Sequence, residues 1–365
     1  MKKKMLSVLV MSTLLLSLFA AGSVKAAKPI AVAVAKGAVQ PDKQLAAMVA
    51  DFSWVEWRVV LGDLKATDLD GASFLLLVNI DSSQTWSDAE VAAITAWYSA
   101  GGKTLWVSGD SDFPPNDVKR QASANKVLAA IGSRLRMESG AIEDPVSSAD
   151  APYRVLGVSD ACDANVKFIV EGVQKALFHG PGPIVGYSGG KYVSLETASI
   201  DGVYKVITST VEGVLKDNDP TVAPEVHSLT AVGRLTLMAF DFDYAKKNLA
   251  IATGEAPIAQ YQGLYKPELM DPARYGSKYP QQGERLFDNI LTFSLVSKNR
   301  WCEDQATITA KSTQITGLSA DKTKLTSDLA VANSQVSTWQ MYAAGLAVVG
   351  IIIGAVVGPM LMKKK

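Results

Sequence analysis

The stretch from Met341 to Met362, MYAAGLAVVGIIIGAVVGPMLM, constrains this chain more than any other: it carries no charge and ends at Lys363, Lys364 and Lys365. A helix rises about 1.5 Å per residue, so such a run matches a hydrocarbon layer of roughly 30 Å. It is apolar on every face, and Trp339 and Tyr342 stand at its other boundary. A transmembrane helix over 339–362 with a cytoplasmic tail, 363–365, is expected; a buried core helix is the alternative. Within the run Gly350, Gly354 and Gly358 recur every fourth residue, a smooth face for close helix packing.

The amino end fits the same picture. Lys2, Lys3 and Lys4 precede an apolar run from Met5 to about Ala21, then Val24-Lys25-Ala26. That order reads as a secretory signal peptide over 1–27, although an uncleaved anchor would leave the topology unchanged. Lysines at both tips place both ends in the cytoplasm and residues 28 to about 338 outside. The expectation is a single-pass cell-membrane protein of a prokaryotic envelope, its bulk extracytoplasmic.

Residues 28–300 suffice for a large core. The 36 basic and 36 acidic residues balance without any long basic block, which argues against a nucleic-acid partner. Cys162 and Cys302 are the two cysteines. In an oxidising exterior they would pair in a disulfide or stay independent, and the sequence leaves both open.

Between the body and the apolar run, residues 301–338 change character. Glycine and proline nearly vanish, and with Ile308 at position a of a heptad, Ile315, Leu329 and Val336 fall at a while Leu318, Leu325, Ala332 and Trp339 fall at d. Lys311 and Lys322 interrupt this seam. A coiled-coil stalk is expected, and with it self-association, because such a stripe needs another helix to bury it. A single exposed helix is the alternative.

Within the body, Ile30–Ala35, Trp57–Leu61, Ser73–Ile80 and Lys103–Ser108 read as strands, the third almost wholly apolar as in a sheet covered on both faces. Helical spacing falls between them over Pro41–Asp51, after Ser87 with its capping-box partner Glu90, and from Asp117 to Ile131. The rhythm predicts an α/β fold with a doubly wound, mostly parallel sheet. From Ser133 a β-rich annex follows, with strands over 166–170, 192–195, 204–208 and 234–239, and a last helix over Glu284–Ser297.

Asp70–Asp112, DGASFLLLVNIDSSQTWSDAEVAAITAWYSAGGKTLWVSGDSD, resembles the core of class I glutamine-amidotransferase-like domains. Ala231–Asp243 and Gly283–Leu295 resemble the late strand and closing helix of non-enzymatic members of that superfamily. The resemblance implies a flavodoxin- or amidotransferase-like sheet. The enzymes carry a nucleophilic cysteine in the turn after the strand that corresponds to Lys103–Ser108. Here that turn is Ser108-Gly109-Asp110-Ser111-Asp112, with Asp110 at the nucleophile position. Only His179 and His227 could serve as a base, and neither sits in a His-x-Glu ending, so glutamine hydrolysis is not expected.

Asp110, Asp112 and Asp117 cluster at a strand's carboxyl end, where open α/β sheets bind ligands, and Asp241 and Asp243 follow another strand. These five are the candidate ligand-binding residues, with helix and turn capping as their other reading. No cofactor or metal is expected: the spacing departs from a calcium loop, two histidines make a poor zinc set, and Ser108 and Ser111 lack a nucleophile elbow. The long segment Gly254–Gln282 carries Tyr261, Tyr265, Tyr275 and Tyr279, a contact surface or a cover over the sheet edge.

These observations point to a membrane-anchored surface protein whose non-catalytic body binds a small ligand or neighbouring envelope proteins. An extracytoplasmic hydrolase using an Asp110/Asp112 crevice, or a tethered receptor feeding a transporter, is the alternative.

Overall fold

The computed structural model describes residues 27–38, 42–81, 83–229, 231–258 and 262–362, with side chains of the last helix given to Ile351. The expected signal peptide and the lysine tail fall outside these residues, Ala27 excepted.

Strand β1 (Ile30–Lys36) leads to helix α1 (Lys43–Asp51), whose cap Asp42 accepts the Gln44 N–H at 2.7 Å. Strands β2 (Glu56–Val60) and β3 (Ala72–Asn79) precede α2 (Asp88–Ser99), where Ser87 and Glu90 form the expected capping box. Then come β4 (Thr104–Ser108) and α3 (Asp117–Ala130). Short strands β5 (Leu135–Met137) and β6 (Ala141–Glu143) open the annex, followed by β7 (Arg154–Val158), β8 (Lys175–His179), β9 (Ile184–Ser188) and β10 (Lys191–Val193). The chain continues through β11 (Val203–Thr208), β12 (Val214–Lys216), β13 (Thr236–Asp243), β14 (Asn248–Thr253) and α4 (Gly283–Thr292). A π-helical turn at Phe293–Ser297 runs into α5 (Lys298–Met362).

The main sheet has nine strands in the order β2-β1-β3-β4-β14-β13-β11-β7-β8. The first five run parallel, and from β14 onward each neighbour is antiparallel. The sheet is therefore mixed, which corrects the doubly wound, mostly parallel expectation. The cause is local: Lys247, in the left-handed region at φ 57°, closes a tight turn that folds β14 back along β13. The annex strands β11, β7 and β8 then add antiparallel to that edge.

Alternation along the strands divides the core between two faces. Ala31, Ala33, Phe74, Leu76 and Trp106 pack with Leu45 and Met48 of α1 and Leu286, Phe287 and Ile290 of α4. Val32, Val34, Leu75, Leu77 and Leu105 pack with Ile94, Trp97, Val127 and Leu128 of α2 and α3. Both faces are covered, which is why the strands read as unbroken apolar runs. Residues 166–170, expected as a strand, lie in a 3-10 segment, Ala164–Val170. Val166, Ile169 and Val170 are buried, and their spacing suits one helical face as well as it suits a strand.

The chain divides into two compact units, Met1–Glu303 and Asp304–Lys365. Among the described residues no helix is long and apolar enough to cross a membrane. The described side chains of the apolar run, 341–351, supply about half of the roughly 20 residues a span requires. The rest of α5 up to Gln340 is rich in Ser, Thr, Gln and Lys. The transmembrane helix and the single-pass cell-membrane topology with its extracytoplasmic bulk are corrected accordingly; of the glycines expected to pack there, Gly354 and Gly358 lie beyond the described side chains.

Candidate functional site

Five parallel strands end along one edge of the sheet, at Val60, Lys36, Asn79, Ser108 and Thr253. The ends of β4 and β14 are twins: Ser108-Gly109-Asp110 and Thr253-Gly254-Glu255 each read hydroxyl, glycine, acid. Register pairs Ser108 with Thr253, and Gly109 N–H donates to the Thr253 carbonyl at 2.8 Å. Crowding bears on both glycines, against fixed backbone at Gly254 and against a flexible methionine side chain at Gly109. A Cβ on Gly109 would lie 1.8 Å from Met137 Sδ, and one on Gly254 would lie 1.9 Å from the Gly182 carbonyl oxygen. The register thus carries two acids to one place.

Asp110 is buried, its Oδ2 2.9 Å from Arg120 Nη1 and its Oδ1 accepting the Ser111 N–H at 2.8 Å. The same guanidinium nitrogen meets Asp117 Oδ1 at 2.7 Å, and Nη2 donates to the Ile80 carbonyl at 2.6 Å. Ser111 Oγ donates to Asp117 Oδ2 at 3.1 Å. One cation therefore serves two acids of this loop. Burial, and next the negative charge of Asp117, push the Asp110 carboxyl well above the usual carboxylate range. Glu255 is pushed the same way, by burial first and by Asp110 second. Its Oε1 accepts the Ala256 N–H at 2.8 Å, while Oε2 has no hydrogen-bond partner among the described residues.

Of the five carboxylates picked out by sequence, Asp110 and Asp117 meet; the other three do other work. Asp112 is buried and accepts from Asn218 N–H at 2.9 Å and Asn218 Nδ2 at 2.8 Å, tying down the loop after β12. Asp241 accepts from Ser133 Oγ at 2.8 Å and from Arg134 N–H at 2.6 Å. Asp243 accepts the Lys246 N–H at 3.0 Å. Because β13 runs antiparallel to β14, its carboxyl end lies at the opposite edge of the sheet from Asp110. Convergence of Asp241 and Asp243 on that crevice is therefore corrected.

Above Asp110 and Asp117 opens a cavity of about 370 Å³. Its wall is largely apolar, with Phe113 60% exposed at the mouth, Tyr153 and Ala141, and with Glu143 as a further carboxylate. His179 also lines it, edge-on to Tyr153 with ring centroids 5.4 Å apart. Burial, and then Arg154, lower the imidazole to about 4, so it is neutral at pH 7. Among the described residues no group of three acids, histidines or cysteines is placed to hold a metal ion.

Cys162 and Cys302 are both free and buried, so the disulfide is not formed. Burial raises both thiols to about 11, leaving no thiolate nucleophile at neutral pH. The tyrosines of the long loop turn inward: Tyr265 donates to Asp51 at 2.7 Å, Tyr275 is buried, and Tyr279 donates to Asp150 at 2.9 Å. Tyr261 lies outside the described residues.

Sequence reasoning missed Arg120, Glu255 and a second cluster around His227. Glu255 had a visible signal in the twinned strand ends. His227 Nδ1 meets the buried Glu138, and its Nε2 is 3.0 Å from Glu196 Oε2. Glu138, Glu196 and His227 belong to three distant segments, and no spacing announces them.

No family model matches the chain, and no curated protein matches it. Among solved structures, the N-terminal domain of mmIFT52 is similar at 9% identity and a TM-score of 0.47, covering 73% of this chain and 98% of that one. A putative GMP synthase component from Thermoplasma acidophilum is similar at 9% identity and a TM-score of 0.30, covering 77% and 98%. Both likenesses are weak, and no family membership follows.

Proposed function

We propose that the α/β body is a binding domain that recognises a small ligand or a peptide side chain and does not hydrolyse it. One observation carries this reading: the strand end at which an amidotransferase-like enzyme would hold its cysteine presents Asp110, buried and paired with Arg120, below an open apolar cavity. A buried carboxyl whose pKa is raised and whose oxygen is committed to a guanidinium is a poor nucleophile, and burial raises both thiols of the chain as well. The scattered Asp112, Asp241 and Asp243 lend no support to a hydrolase.

The cavity's chemistry favours an amine with an apolar portion. Phe113 and Tyr153 offer aromatic surface and the acids Asp117 and Glu143 line the same wall, while the cations nearby are engaged, Arg120 with Asp110 and Asp117 and Arg154 over the Tyr153 ring, and His179 is neutral. Thermal melting with phenethylamine, and with phenylacetate as a ring-matched acid, tests the reading. The amine should raise Tm by mass action and the acid should not. Phe113→Ala, at an exposed position, should remove the shift without lowering the unliganded Tm. Preference for the acid, a shift that survives Phe113→Ala, or ammonia release from glutamine would each overturn it.

A further inference from the structure

In the unit Asp304–Lys365, Ile308, Ile315, Leu318, Leu325, Leu329 and Val336 are each 55–68% exposed, and they trace one a/d stripe along the helix. Two features say what covers it. The helix is intrinsically weak, since Ser and Thr dominate its surface and Thr313, Thr316, Thr323 and Thr326 turn their hydroxyls back onto carbonyls four residues earlier. A lone, solvated helix of such composition is marginal, because β-branched and back-bonding residues favour other conformations. It needs tertiary or quaternary packing to persist.

The second feature is how the layers match. In a parallel, in-register pair every apolar a or d residue meets its own copy, and Lys311 and Lys322 meet theirs. Reversing one strand over 308–339 would instead set Lys311 against Val336 and Lys322 against Leu325, spoiling four layers in place of two. Parallel pairing also puts Lys322, at a, beside the g position that precedes it on the partner, where Asp321 stands. The acid and the lysine are adjacent in sequence, so symmetry forms the contact twice. Gly317 falls at the outward c position, and a Cβ there would meet nothing within 4 Å.

We infer that residues 308–339 form a parallel, two-stranded, in-register coiled coil with a second copy of this chain, displaying two α/β bodies together. A lysine at a specifies register and strand number at some cost in stability, and charged layers are easier to solvate between two strands than among three.

The test uses the full chain. Native mass measurement at micromolar concentration should give two chains, and Leu325→Asp with Leu329→Asp should give one while the far-ultraviolet spectrum of the α/β body is retained. Leu325→Cys should oxidise to a covalent dimer, since in this register each Leu325 faces its copy; the native cysteines are buried and do not compete. A monomeric wild type, a dimer unaffected by the two aspartates, or a trimer would overturn the inference. So would a Leu325→Cys chain that fails to cross-link while a mixture of Lys322→Cys and Leu325→Cys chains does, because that pairing marks the antiparallel arrangement.

Discussion

The His227 clamp makes a pH-dependent prediction whose size follows from the structure. The imidazole lies between two carboxylates, Glu138 on Nδ1 and Glu196 on Nε2, with Glu138 fully buried and the histidine side chain only 13% exposed. Burial alone would lower its pKa, yet hydrogen bonds to Glu138 and then Glu196 carry it from 6.5 to about 9. Glu196 shows the same interaction from the other side, falling from 4.5 to about 2 against its own burial through its bonds to His227, Thr236 and Ser194. A rise of about 2.5 units at 1.36 kcal/mol each corresponds to about 3 kcal/mol, counted once for the pair. The folded imidazolium is favoured over the unfolded one, so this stability is fully present below pH 6.5 and is lost as pH rises through 9. The Glu196 carboxylate contributes above 4.5 and is lost as pH falls through about 2. The clamp is complete between pH 4.5 and 6.5.

His227→Gln keeps hydrogen-bonding capacity and removes the charge. Urea unfolding followed by tryptophan fluorescence should show the wild type ahead by about 3 kcal/mol at pH 6, a lead that shrinks toward pH 9.5. The comparison cancels the titrating groups common to both chains that do not touch His227. A lead that stays constant from pH 6 to 9.5 would refute the reasoning, because it would mean that the imidazole is not charged in the folded state.

Arg120→Met should cost about 3–5 kcal/mol, since Asp110 and Asp117 would remain buried without their cation; a urea midpoint near wild type would count against that pairing. Glu255→Gln keeps the volume and removes a buried carboxyl from beside Asp110. A raised folded pKa means stability present below 4.5 and lost as pH climbs through the folded value, so the variant should equal or exceed wild type at pH 7, and a loss there would sink the argument. A thiol reagent such as Ellman's should find Cys162 and Cys302 inert in the folded chain and both reactive in denaturant; ready labelling without denaturant would contradict their burial.

Much of the parallel half of the sheet was legible. The runs at Ile30, Ser73 and Thr104 are apolar on both faces, and Ser87 with Glu90 announces α2 in four letters. Direction was not legible. Strand polarity depends on which partner a segment meets, and nothing in TLMAFDFD says that β13 runs against its neighbour, so Asp241 and Asp243 were expected at the wrong edge. The 3-10 segment at 164–170 was hidden because its buried residues satisfy two periodicities at once. At the site, Asp110 stood out through its place after β4, but its neutralising Arg120 is one basic residue among 36. The apolar run near the carboxyl end was the strongest signal in the sequence, and the inference drawn from it did not hold among the described residues.

The meeting of β4 and β14 is made by segments far apart in the chain: Trp106 Nε1 reaches Thr253 Oγ1 at 2.9 Å across 147 positions. Closing an excursion of that size costs about 4 kcal/mol in chain entropy. During synthesis, a nascent chain that has only reached the annex owns Asp110, Asp117 and Arg120 but not Glu255. The acidic elbow is thus unfinished until β14 slots in between β4 and β13, and any truncation upstream of Glu255 would leave the β4 side of that elbow uncovered.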